Sequence, residues 1–275
     1  MEFLNINGVK TFFLPDSRLK TATATLYINI PLRRETASFN AIWPAVLMRG
    51  SKNHPETKDF TVYLEQMFGA NAGFKVEKQG AYQRISLRFK TVADKYAENE
   101  PFSALLRFMG EVLLSPALDN GAFRKSYTER EKEVQIQYIE GIVNDKRKYA
   151  SVRLIEEMCK GEEYSILACG DIESIKKIDE KTLYESYINA LKGAEISLYV
   201  ADNFEKEKVV PILKEIFKDF KNNAGERISP EIKDAPETVK NIEETAKITQ
   251  GKLAMGFRTS ITRKDERYYA MAVFN

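Results

Sequence analysis

The chain has 275 residues, with 42 lysines and arginines against 40 aspartates and glutamates, 43% hydrophobic and 30% charged residues, and a formal net charge of +2. That balance fits a soluble globular protein and excludes a disordered one; the interleaved charges leave no basic face for nucleic acid. No apolar run approaches the ~20 residues of a membrane span, and Met1 to Lys10 lacks the basic start and apolar core of a signal peptide, so a cytoplasmic protein without a membrane partner is expected.

The length allows two domains, or one domain and part of another. Lys10 to Pro15 reads as a short strand after the Asn7-Gly8 turn. Thr21 to Ile30 alternates Ala22, Ala24, Leu26, Ile28 and Ile30 with polar residues, a half-buried strand. Phe39, Ile42, Trp43, Val46 and Leu47 then take helical spacing up to Gly50, with Pro44 expected to kink or interrupt the helix. Asp59 to Phe68 reads as a helix stopped by Gly69, and Phe74 to Val76 and Tyr82 to Phe89 as paired strands around Gln79-Gly80. Phe102 to Leu114 is an apolar helix, Ala122 to Asn144 a long charged one, and Ala150 to Lys160 and Thr182 to Leu191 shorter ones. A strand over Glu195 to Ala201 and an amphipathic helix over Phe204 to Phe220 follow.

Lys221 to about Thr245 is rich in proline, asparagine and charge, a linker. Lys247 to Thr259 reads as a fresh strand. It leads through Arg263 to Glu266 into the apolar run Tyr268 to Phe274, repeating the strand, charged turn and helix of Leu26 to Val46. The repeat stops at Asn275 in mid-pattern, so a complete domain is expected over residues 1–220, a linker over 221–246, and the first strand and partial helix of a truncated second domain over 247–275.

The chemistry-bearing residues are few. Cys159 and Cys169 make no Cys-x-x-Cys pair and are expected to pack as small apolar side chains. The one histidine, His54, precedes Pro55 among polar residues and reads as a solvated loop side chain. A protein zinc site needs three or four converging ligands. Carboxylates such as Glu35 and Glu131 fall on charged helices, where solvated faces are expected.

Several segments together resemble the pitrilysin/insulinase-type zinc peptidases, the inverzincins. They are Asn7-Gly8-Val9-Lys10, Ile30-Pro31-Leu32-Arg33-Arg34-Glu35, Arg49-Gly50-Ser51 and Glu129-Arg130-Glu131-Lys132-Glu133-Val134. The runs Asp145 to Ala150 and Arg153 to Cys159 are similar to a zinc-less subgroup of Bacillus- and Clostridium-type bacteria that accompanies a zinc-bearing relative. The resemblance implies an α/β (α+β) fold: a mixed, largely antiparallel sheet with helices packed on one face, and the start of a duplicated second domain.

In active members of that family a His-x-x-Glu-His helix supplies two zinc ligands and a general base, and a glutamate on a later helix supplies the third ligand. Counted back from Arg49-Gly50-Ser51, the histidine positions fall on Ala41 and Ala45, the base on Pro44, and the later ligand on Tyr138; Glu131 is retained upstream. No histidine occurs between Met1 and Leu47, so no shift of register restores the motif. The expectation is therefore no metal, no cofactor and no catalytic residue in this chain, although zinc is the family's metal.

Active relatives also bind peptide as an added strand, which maps here to Phe74, Lys75 and Val76. The implied role is an inactive subunit that pairs with a zinc-bearing paralogue around a peptide or unfolded polypeptide. The alternatives are a stand-alone homodimeric peptide-binding or structural module, and a peptidase with a relocated active site.

Overall fold

The computed structural model describes residues 2–223, 228, 233, 238–245 and 249–274. Among the described residues eight strands are formed: β1 (Glu2–Ile6), β2 (Val9–Pro15), β3 (Thr21–Pro31), β4 (Asn71–Gln79), β5 (Tyr82–Val92), β6 (Leu118–Asp119), β7 (Ala122–Phe123) and β8 (Glu195–Asp202). Six of them build one sheet in the order β1-β2-β8-β3-β5-β4. Only β2 and β8 run parallel; every other neighbouring pair in that sheet is antiparallel.

Period-two patterning gives the sheet one dry face and one wet face. Ala22, Ala24, Leu26 and Ile28 on β3, Ile85, Leu87 and Phe89 on β5, and Ile196, Leu198 and Val200 on β8 are buried. The alternate residues Thr25, Tyr27, Arg84, Ser86, Arg88, Ser197 and Tyr199 are half-buried or exposed. On the wet face an aromatic row crosses the strands: Phe3 to Phe12 at 5.3 Å between centroids, Phe12 to Tyr199 at 4.8 Å, Tyr199 to Tyr27 at 5.5 Å.

Helices cover the dry face, as the resemblance implies. The helices among the described residues are α1 (Arg34–Leu47), α2 (Thr57–Gln66), α3 (Pro101–Leu114), α4 (Lys125–Asn144), α5 (Lys146–Met158), α6 (Ile172–Lys176), α7 (Glu180–Gly193), α8 (Lys206–Ile216) and α9 (Tyr268–Phe274); α5 and α9 bury no residue and lie outside this layer. Helix α3 packs on β5 and on α8, and α1 packs against α4 and α7. Phe102, Leu105, Leu106, Phe108, Met109, Val112 and Leu113 of α3 join Ile42, Trp43, Val46 and Leu47 of α1 in one core. Each such side chain contributes about 1.5–3 kcal/mol by leaving water, which favours this one-sided layering.

Several elements differ from the sequence reading. Helix α1 begins at Arg34 and is not interrupted at Pro44, which lacks the N–H that would donate to the Asn40 carbonyl. Residues 122–123 are the second arm of a two-residue hairpin with Leu118–Asp119, turned by Asn120 (φ 51°) and Gly121 (φ 78°). Helix α8 is shorter than the apolar pattern over Phe204 to Phe220. Strand β1 has no counterpart in the prediction.

The strand expected over Lys247 to Thr259 does not form: 249–262 lack strand structure, and 247 and 248 lie outside the described residues. A strand without a partner edge gains no ladder hydrogen bonds. Here the chain lies against α5, with Arg258 donating to the Met158 carbonyl and Glu162 and Gly256 packed on Leu154 and Met158. The apolar run Tyr268–Phe274 forms helix α9. The central part of the expected linker falls on residues 224–227, 229–232 and 234–237, which are outside the described residues.

Candidate functional site

Helices α1 and α4 pack side by side and bring the family's motif positions onto one helix pair. Ala41, Pro44 and Ala45 lie buried in α1. Their side chains offer no electron pair to a metal, and they fill the space with methyl and methylene groups. Immediately before Ala41, Asn40 donates to Gln83 Oε1 at 3.0 Å and accepts from Trp43 Nε1 at 3.2 Å. Gln83 in turn donates to the Ala37 carbonyl at 3.0 Å and the Ala168 carbonyl at 2.7 Å. This buried network ties α1 to β5 and to the loop before α6, and its members satisfy one another.

On α4 the two family positions have separate fates. Glu131 is buried, and both Nη2 and Nε of Arg49 reach its Oε1, at 2.5 and 2.6 Å. The carboxylate retained from the motif thus serves as an anchor between the end of α1 and α4. Tyr138 is half exposed; its hydroxyl accepts from Lys148 Nζ at 3.1 Å, and the same ammonium lies 4.4 Å from the ring centroid. A phenol held by a cation across the α4–α5 junction points to surface packing rather than to a ligand set. The donor set around α1 and α4 does not fit zinc, and among the described residues no three His, Cys, Asp or Glu side chains converge.

His54 departs from its expected role. It is half-buried, stacked on Tyr63 at 4.1 Å between centroids and edge-on to Phe108 at 5.5 Å. The loop folds back because the Ser51 amide donates to the His54 carbonyl, which lays the imidazole on the aromatic end of α2 and α3. The thiols follow expectation: Cys159 is buried and Cys169 partly so, and burial pushes both above the ordinary thiol range.

Phe74, Lys75 and Val76 do lie on an edge strand. Among the described residues β4 pairs with β5 on one side only and stands at the edge of the sheet. Asn71, Phe74 and Lys75 are exposed. Toward its other end, Lys78 donates to the Tyr164 carbonyl at 2.7 Å, and burial pushes its ammonium below the usual lysine range. Sequence reasoning missed three partnerships: Arg49 with Glu131, Lys148 with Tyr138, and Asn40 with Gln83. Only the last left a trace, a polar residue inside the apolar stripe of α1.

The peptidase M16 inactive domain family matches residues 177–275. Over 278 aligned residues, the chain is 30% identical to the probable inactive metalloprotease YmfF of Bacillus subtilis, covering 98% of this chain and 63% of that protein. The chain is an M16-type, pitrilysin/insulinase-like metalloprotease homologue. Several solved structures share its fold. A conserved protein from Enterococcus faecalis superimposes with a TM-score of 0.72 at 24% identity, covering 77% of this chain and 50% of that one. The peptidase M16 inactive domain from Pseudomonas fluorescens gives 0.67 at 17%, covering 86% and 54%. Pitrilysin itself gives 0.59 at 16%, covering 82% and 24%. The M16-like chain therefore spans less than two thirds of the curated relative and about half of the first two structures.

No helix of the M16-like chain is long and apolar enough to cross a membrane among the described residues.

Proposed function

We propose that this M16 homologue is a non-catalytic subunit that helps hold peptide or unfolded polypeptide while a zinc-bearing relative supplies the chemistry, in the cytoplasm. The observation that carries this reading is the α1–α4 pair. The helices that would present a metal site are kept and packed, yet Ala41, Pro44 and Ala45 fill the ligand and base positions, and Arg49 occupies the carboxylate of Glu131. The free edge of β4 offers a main-chain surface on which a peptide could add as a strand. Part of the same reading is that residues 247–275 open a second, duplicated unit.

Mixing the protein with an M16 relative that carries His-x-x-Glu-His tests the idea. Co-elution of the two chains and a rise in hydrolysis of a fluorogenic peptide over the relative alone are expected. A homodimer that excludes the relative, or two chains that neither associate nor change the rate, would sink it.

A further inference from the structure

The register of β4 on β5 places Gly73 directly opposite Arg88 and Lys75 opposite Ser86. Arg88 alternates with buried Leu87 and Phe89, so it stands on the wet face, where it is exposed. Among the described residues its guanidinium forms no hydrogen bond, ion pair or ring contact; the same holds for Lys90, the next wet-face cation on β5, which pairs with Asn71 rather than Gly73, whereas two other nearby cations have partners. Arg84 donates to Asn29 at 2.9 Å and lies 5.1 Å over Tyr27, and the Lys75 ammonium is 2.5 Å from Glu77. Between Arg88 and the free edge of the sheet stands only Gly73. A Cβ there would meet nothing nearer than Asn71 Oδ1 at 4.0 Å, so the wet face has a side-chain-free slot that leads from Arg88 to the edge.

The other face of β4 differs in chemistry. Phe74 is 42% exposed, and Ala72 and Val76 flank it on the same side.

We infer that a polypeptide added along the free edge of β4 is selected for a carboxylate at the position opposite Gly73, with apolar residues on either side of it. Strands lie about 4.8 Å apart, so the added residue sits about 9.6 Å from Arg88, two spacings away. Long side chains reach about 7–8 Å across a sheet, and a glutamate on the added strand closes the remainder over the empty slot. The alternation of a strand then turns the residues before and after that acid to the other face, beside Ala72, Phe74 and Val76. A basic residue at the same position would meet Arg88 as a like charge. This inference rests on the peptide-holding reading and adds the chemistry of the peptide to it.

Two blocked heptapeptides test it with the full chain. In both, valine occupies the odd positions and threonine the second and sixth; the central residue is glutamate in one and lysine in the other. Isothermal titration at low salt is expected to give about tenfold tighter binding of the glutamate peptide, the difference between an attractive and a repulsive half-exposed contact. Arg88→Glu should reverse the preference, and Gly73→Thr should reduce it, with the circular dichroism spectrum unchanged in both. Equal affinity for the two peptides, or a preference that survives Arg88→Glu, overturns the charge selection and leaves peptide holding intact. No binding of either peptide overturns the inference together with the use of the β4 edge.

Discussion

Arg49→Ala should cost more stability than Glu131→Ala, although each removes one end of the same ion pair. The Glu131 side chain is 7% exposed and that of Arg49 34% exposed. Without Arg49, the carboxylate is left where water barely reaches it; without Glu131, the guanidinium can turn toward solvent. Breaking a fully buried pair from one side costs about 3–5 kcal/mol. The partial exposure of Arg49 puts Arg49→Ala at the lower end, about 3 kcal/mol, and Glu131→Ala at about 1.5 kcal/mol.

The double variant should cost only about 2–2.5 kcal/mol, because removing the second partner relieves the stranded charge left by the first. Urea unfolding followed by circular dichroism reads these differences. With a slope of about 2–3 kcal/mol per molar, Arg49→Ala moves the midpoint down by about 1 M. Equal single costs that add in the double variant would refute the reasoning, since they would mean that the two groups stabilise the helix pair independently.

Gly170 has φ +73°, and a Cβ there would lie 2.6 Å from the Ser38 Cα, a backbone atom of α1 that cannot step aside. Gly170→Ala should therefore lower stability by about 3 kcal/mol, while Gly121→Ala, at φ +78° in open space, should cost about 1 kcal/mol; melting temperatures compare them. Asp171 and Asp179 cap α6 and α7. At Asp171, burial raises the carboxyl pKa, but the amide and hydroxyl of Ser174, with Arg34 and the Glu173 amide, outweigh it; at Asp179 the Thr182 amide and hydroxyl lower it. Both titrate below the unfolded value of about 3.9, so their stabilisation is complete above that pH and is lost as pH falls through the lower folded values. Urea midpoints at pH 6, 4 and 3 should show this loss, and Asp171→Asn, still a good cap, should reduce the slope while leaving the pH 6 midpoint nearly unchanged. After dialysis against micromolar zinc, atomic emission should find well under one ion per chain, and stoichiometric zinc would contradict the reading of the α1–α4 pair.

Much of the fold was legible because its central strands and helices carry clean periods. Thr21 to Ile30 alternates in sequence, and Phe102 to Leu114 keeps an apolar stripe, so local pattern and tertiary burial agree except at Thr23, which is buried on the polar phase of β3. Strand β1 was not legible, since Glu2, Phe3 and Asn5 are exposed on an outer strand and only Ile6 is buried. The Lys247 to Thr259 segment was misread because alternation shows what a strand could bury, not whether a partner edge exists. At the candidate site, the positions Ala41, Pro44, Ala45 and Tyr138 came from resemblance. The sequence had no means of showing that Arg49 grips Glu131, because ion pairing between residues 82 apart leaves no local pattern. The His54 stack with Tyr63 was hidden for the same reason: a polar loop folded back on two rings reads, locally, as a solvated loop.

The place of β8 in the sheet constrains the order in which the molecule can assemble. β8 lies between β2 and β3, and among the described residues it is the sole link between the β1–β2 hairpin and the rest of the sheet. Strands β3, β5 and β4 can pair as soon as residue 92 has been made, whereas the first fifteen residues have no edge to join until residues 195–202 follow. During synthesis the hairpin, with Phe13 and Val9 still unburied, must wait for more than half the chain. Closing that long loop is a late and slow event, and the interval before it is when the nascent chain is most exposed to aggregation.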